Sequence, residues 1–387
     1  MRQSADPMIR REKRASVNNK ETQSSAGPRK QRNGWIDILR LMFAVLIVLF
    51  HTEELNIDGE NFLICPGGYI GVEFFFLVSG FLMAATAARQ RNTEEIDTGT
   101  LTIRFVRRKI SVFFPYYVVA FLFALITWMI RFEGNSRVFW MRIREAFFEF
   151  VLMKGIGLGN SSCLNSPTWY LSAMVLCMLA IYPWLIRKRK LYTHICVPVT
   201  SVIILAHFYS QKGGIQQNPD LFGINYWRIL RAFVELNLGC VCYEVSSVLS
   251  QKQYGSLKKG ILTCAEIALY AFPLILSFFT KADYDYILLF SLMAGVTLSF
   301  SGVTYTSSIP SGKASAFLGK FSLVLYLNHR YWEWLLNAKM PEAGFWQKFP
   351  VFLALSVVSA FIVMLIVDGG KALLARKKER EQSAADI

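Results

Sequence analysis

Residues 40–51, RLMFAVLIVLFH, set an arginine and a histidine at the two ends of an otherwise apolar run. A charge at membrane depth costs about 2.5–3.5 kcal/mol on insertion scales, so ionisable side chains inside such a run point to function unless they reach an interface. At 100° per residue, the 11 positions from Arg40 to His51 come within ~20° of three full helical turns, and the rise separates the two by about 16 Å on one face. A histidine ordinarily titrates near 6.5 and can take and return protons at neutral pH. A guanidinium grips phosphate or carboxylate through paired hydrogen bonds. The next apolar run, GYIGVEFFFLVSGFLMA, embeds Glu73 among aromatic residues and carries Ser79-Gly80 at its middle. A carboxylate in that setting needs a histidine or arginine on a neighbouring span. Two plainer readings stand beside these: Arg40 and His51 as interfacial groups reaching toward headgroups, and Ser79-Gly80 as a close-packing site between helices.

The elements that must position these residues are membrane helices. The 387 residues are 53% hydrophobic and 18% charged, against roughly a quarter charged in ordinary soluble domains. A crossing needs about 20 mostly apolar residues. The sequence supplies ten such stretches, at 35–55, 68–88, 112–131, 167–186, 194–210, 227–249, 261–280, 286–302, 319–337 and 350–368. The expected fold is an all-α integral membrane bundle of about ten transmembrane helices with both termini cytoplasmic. Lys and Arg in short loops mark the cytoplasmic face, and they cluster in the expected internal segments: Arg104 to Lys109, Arg187 to Lys190, Lys252 to Lys259, and Arg376 to Arg380. The first external loop carries Glu53, Glu54, Asp58 and Glu60 instead. Segment 132–166 opposes the pattern with Arg137, Arg142, Arg144 and Lys154; its stretch VFWMRIREAFFEFVLM has apolar residues at helical spacing and reads as a helix lying at the interface.

The net charge of +15 is therefore a topology signal, and nucleic acid is not an expected partner; the lipid bilayer is. Residues 1–33 carry nine basic and three acidic residues and no apolar core. They read as a disordered cytoplasmic tail able to meet anionic lipid, followed by one membrane domain at 34–370 and a charged cytoplasmic tail at 371–387. The seven cysteines form no CxxC pair and no metal site is expected; Cys65 and Cys163 fall in external segments where an oxidising compartment permits pairing. His194 and His207 read as interfacial, Trp169 and Tyr170 as aromatic-belt residues, and Arg228 and Arg231 as snorkelling groups or contacts to an anionic acceptor.

The arginine, ten intervening residues and histidine of the first span, followed by GVEFFFLVSGF, resemble the acyltransferase-3 family of multi-pass membrane acyltransferases, which includes O-antigen and exopolysaccharide O-acetylases. Further matches are FVRRKISVFFPYY at 105–117, PTWYLSAMVLCMLAIYP at 167–183, RAFVELNLGCV at 231–241 and LGKFSLVLYLNH at 318–329. Two departures stand out: Ser111 where the family usually has a further arginine, and Arg330 directly after His329.

The resemblance implies transfer of an acyl group, acetyl above all, from acyl-CoA to a hydroxyl of a cell-surface polysaccharide or other envelope glycan, in the plasma membrane. It assigns His51, Glu73 and Arg40 to catalysis, Arg40, Arg107 and Arg108 to the coenzyme, and Ser79, Trp169, Tyr326 and His329 to substrate. In that scheme His51 is the general base or, as the second choice, a transient acyl carrier, and Glu73 orients its ring. A transporter or flippase for a glycan-linked lipid is the alternative, since transporters also bury Arg, Glu and His; the absence of an evident internal repeat counts against it. A scaffold that has lost its chemistry is a third reading, which the intact Arg40 and His51 disfavour.

Overall fold

A computed structural model describes residues 33–55, 62–90, 97–154, 164–212, 215, 227–280 and 284–385. The helices, in chain order, are α1 (Gly34–Phe50), α2 (Ile70–Gln90), α3 (Thr98–Arg131), α4 (Ser136–Phe150), α5 (Trp169–Leu191), α6 (Val197–Lys212), α7 (Trp227–Leu249), α8 (Ser256–Leu276), α9 (Asp285–Ser301), α10 (Lys313–Asn328), α11 (Arg330–Lys339) and α12 (Phe345–Ala385). Among the described residues there is no sheet, only one isolated bridge between Asn33 and Pro310.

Among the described residues seven helical runs are long and apolar enough to cross a membrane: Gly34–Glu53, Ile70–Gln90, Thr98–Arg131, Ser166–Ser210, Trp227–Leu249, Ser256–Leu276 and Phe345–Ser383. The protein is thus an all-helical, multi-pass membrane protein. The run Ser166–Ser210 contains both stretches 167–186 and 194–210, joined through a kink at Lys188 (φ −134°, ψ 40°) and a π turn at Tyr192–Cys196. The expected span 286–302 is α9, of 17 residues. The expected span 319–337 is not one helix: it breaks at His329 between α10 and α11.

Helix starts follow local chemistry. The side chain of Asn33 caps α1 by accepting from the Trp35 amide at 2.9 Å, and Asp97 caps α3 by accepting from Thr100 at 3.0 Å. The start of α1 is also tied to the α9–α10 connection, through Gly34 N to Ile309 O at 3.0 Å and Ser311 Oγ to Asp37 at 3.0 Å.

Helices α2 and α7 cross at their glycines. A Cβ at Gly80 would lie 2.0 Å from the Leu236 carbonyl oxygen, and one at Gly239 would lie 2.2 Å from that of Leu77. Only glycine allows this approach, the close-packing role expected for Ser79-Gly80.

Helix α4 inverts the soluble pattern: Glu145, Ala146 and Glu149 are buried, whereas Trp140 and Phe147 are exposed. An outward apolar face suits lipid rather than water. The first 32 residues and Cys163 lie outside the described residues; Cys65 is a buried free thiol whose Sγ lies 3.4 Å from the Ser277 carbonyl. The described part of 371–387 continues α12 without a break to Ala385.

Candidate active site

His51 follows the last turn of α1 and opens a short 3-10 turn, His51–Leu55. Its ring stacks on that of His329, with centroids 5.1 Å apart and planes at 26°. His329 is fully buried at the α10–α11 break. Its Nδ1 lies 3.3 Å from the Leu325 carbonyl oxygen. A carbonyl only accepts, so this contact favours the tautomer with the proton on Nδ1 and leaves the Nε2 lone pair available. Nε2 is buried and has no hydrogen-bond partner. The break in the ninth apolar stretch thus delivers a second imidazole to the first.

A cavity of about 760 Å³ lies on the other side of Tyr326. Its inner wall includes Phe75, Ser79, Tyr170 and Tyr326, all except Phe75 buried. The Tyr326 ring centroid is 6.0 Å from that of His329, so the cavity ends one ring from His329 and two from His51. The cations Arg40, Lys109, Lys313, Lys320 and Lys371 also line it, and among the described residues no carboxylate does. Two of the five are partly neutralised by acids beside the wall: Arg40 bonds Asp37 at 3.0 Å and Lys320 bonds Asp368 at 2.8 Å. The Lys320–Asp368 pair is about two-fifths exposed, so the basic end is the open one. Such a site takes an elongated ligand whose anionic groups stay near solvent while its other end reaches buried polar side chains.

Of the residues singled out in the sequence, Arg40, Ser79 and Tyr326 line the cavity, and His51 and His329 stack behind it. Arg107 and Arg108 are exposed and do not line it; Lys109, the next residue, takes that place. Ser111 does reach the wall, its hydroxyl bonded to the Arg108 carbonyl at 2.9 Å. Trp169 packs instead against Trp227 and under the guanidinium groups of Arg228 and Arg231.

Glu73 is not brought to His51. It accepts from Arg231 Nη2, while Arg231 Nε donates to Glu235 at 3.0 Å. All three side chains are buried. Arg231 also reaches the Tyr69 carbonyl, and the Tyr69 hydroxyl donates to Asp285. The partner is an arginine on a neighbouring span, one of the two types expected, and Arg231 is a buried anchor rather than a snorkelling group. His194, in the π turn, and His207, on α6, do not line the cavity.

Lys109, Lys313, Lys320 and Lys371 carry no spacing pattern that marks them in the sequence as site residues. Their common signal is a position within a turn or so of an apolar stretch, where a long amine bends toward any polar opening. Tyr170, an aromatic-belt residue by its sequence position, places its hydroxyl 3.4 Å from Ser79 Oγ inside the bundle.

Together these groups offer a cationic mouth, a buried hydroxyl pair and, beyond one tyrosine ring, two imidazoles. They suit transfer of a group from an anionic carrier to an alcohol, a reaction that needs a proton acceptor and a cationic carrier site. No curated protein and no solved structure matches the sequence. The sequence model of the acyltransferase domain of the acyltransferase-3 family matches residues 33–369, almost the whole helical bundle and every residue of the site except Lys371. The chain belongs to this family of membrane acyltransferases.

Proposed function

We propose that the protein moves an acyl group, acetyl in the first instance, from acyl-CoA to a hydroxyl of a cell-surface polysaccharide or other envelope glycan in the plasma membrane. The observation that carries this reading is the cavity polarised from five cations at its mouth to Tyr326, with the His329–His51 stack behind. The coenzyme phosphates sit at Arg40 and Lys109, with the lysines of α10 and α12 around them, and the thioester reaches toward Ser79 and Tyr170. The basic mouth faces the cytoplasm, where coenzyme A thioesters are made, in a bundle of ten crossings with both termini cytoplasmic.

The acceptor hydroxyl oxygen attacks the thioester carbonyl carbon while its proton passes to an imidazole nitrogen of the His51–His329 pair. The carbon–sulfur bond then breaks, and the thiolate takes that proton. His51 is the general base, and His329, not Glu73, is the neighbour that sets its ring plane.

The test uses protein in nanodiscs with acetyl-CoA labelled in the acetyl group, following thiol release and label transfer to envelope glycan. His51→Ala should abolish both while the protein stays folded in the membrane. Full activity in His51→Ala refutes the role of His51, and the absence of coenzyme binding by the unaltered protein refutes the donor and favours transport.

A further inference from the structure

Three residues of the strap Leu164–Thr168, just before α5, contact the residues around the α10–α11 break. Asn165 Nδ2 donates to the Leu327 carbonyl at 2.7 Å, the Tyr326 hydroxyl donates to the Pro167 carbonyl at 2.7 Å, and Arg330 Nε donates to Ser166 Oγ at 3.2 Å. Leu327 is in the last turn of α10, where carbonyls have lost their helical donors, so Asn165 fills a need the break creates.

The strap is in turn held from α4. Glu149 Oε2 accepts from the Leu164 amide and Oε1 from the Asn165 amide, each at 2.9 Å, and Oε1 also accepts from Thr168 Oγ1 at 3.3 Å. Two successive N–H groups divided between two oxygens is a fit a carboxylate makes and a carboxamide cannot, since Gln has one acceptor. Glu149 is itself fixed. The Tyr117 hydroxyl on α3 donates to its main-chain carbonyl. The helix ends in a reversal in which Leu152 takes φ 59° and Met153 N bonds the Phe148 carbonyl at 2.8 Å, a helix stop usually given to glycine.

We propose that Glu149 is a positioning residue: through the strap Leu164–Thr168 it holds the helix break so that Tyr326 closes the cavity and His329 stacks on His51. This rests on the reading of the His329 end as the site of acyl transfer. Without the carboxylate the strap keeps its contacts to α10 but loses its anchor, and the break is free to shift by the ångström or so that reacting groups do not tolerate. Donor phosphates bind at the far, basic end, so the loss falls on the chemical step.

The experiment compares full-length wild type, Glu149→Gln, Asn165→Ala, the double variant and the exposed-site control Arg144→Ala in nanodiscs, measuring kcat, donor KM and thermal midpoint. Glu149→Gln and Asn165→Ala should each lower kcat about 10- to 100-fold with donor KM unchanged, and the double variant should be no worse than the more impaired single variant. A wild-type kcat in Glu149→Gln overturns the proposal while leaving the acyl-CoA reading intact. Multiplying losses in the double variant, or loss of folded protein in both single variants, makes the two residues independent structural contacts and also overturns it. Absence of any transfer by wild type defeats the acyl-CoA reading first, and this role with it.

Discussion

Replacing Arg231 by methionine tests what Glu73 does. In the wild type one guanidinium serves two carboxylates, and all three groups are at most 1% exposed. Glu73 Oε2 and Glu235 Oε2 already have no hydrogen-bond partner. Arg231→Met therefore leaves two buried carboxylates with no cation between them, a change that costs about 3–5 kcal/mol for a broken buried pair. That is a large share of the 5–15 kcal/mol typical of a folded domain. Glu73→Gln leaves the Arg231–Glu235 pair in place and removes one of the two acids that share the guanidinium. It weakens one charge-assisted hydrogen bond, by about 1–2 kcal/mol, and removes the desolvation cost of one buried carboxylate. The net expectation is a change within about 1 kcal/mol. The triple variant Arg231→Met, Glu73→Gln, Glu235→Gln should recover most of the stability lost by Arg231→Met alone. Thermal unfolding in nanodiscs, followed by tryptophan fluorescence, ranks the four proteins, and acyl transfer is measured on those that fold. A fully stable Glu73→Gln protein without turnover would refute this account and return Glu73 to the histidine. An Arg231→Met protein as stable as wild type would refute the cluster as a mainstay of the bundle.

Gly80→Ala forces a Cβ against the Leu236 carbonyl oxygen, now 2.0 Å from that position, so α2 and α7 must part at a cost of about 1–3 kcal/mol; an unchanged thermal midpoint contradicts the close crossing. Lys109→Met and Arg40→Met should each raise donor KM about tenfold, the loss of one charged hydrogen bond, while Arg107→Ala and Arg108→Ala leave it unchanged; the opposite pattern in initial-rate kinetics would make the exposed arginines the donor site. Burial pushes the Glu149 carboxyl from 4.5 up to about 7 despite the opposing pull of Lys154, the Leu164 and Asn165 amides and Thr168. A group whose folded value is raised contributes its stability in full below 4.5 and loses it as pH climbs to about 7. The thermal midpoint should therefore carry a component that falls over that window and vanishes in Glu149→Gln; equal pH slopes in the two proteins would contradict it.

The first span was legible because Arg40 and His51 lie on one short helix, where rotation per residue fixes their common face. The family was legible from motifs carried by residues in order along the chain. What stayed hidden depends on how helices turn toward one another. Glu73 meets Arg231 across 158 positions, and a run that is apolar all round carries no stripe to show which side is buried. The same cause hid Lys109 beside Arg107 and Arg108: a shift of one or two residues swings a side chain by 100° or 200°. The break at His329 had no proline or glycine to announce it. Its sign was the departure at Arg330, which bonds Glu333 and Ser166 where an uninterrupted apolar span would have continued.

The wall of Phe75, Tyr170 and Tyr326 that ends the cavity is also a plug. A water-filled passage along the whole bundle would let protons and ions leak through any membrane that it spans. Tyr170 and Tyr326 are each no more than 8% exposed, and the Tyr326 hydroxyl is committed to the Pro167 carbonyl, so no continuous file of water need pass the ring. On the proposed function only the acyl group need pass this plug, and no open pore has to form.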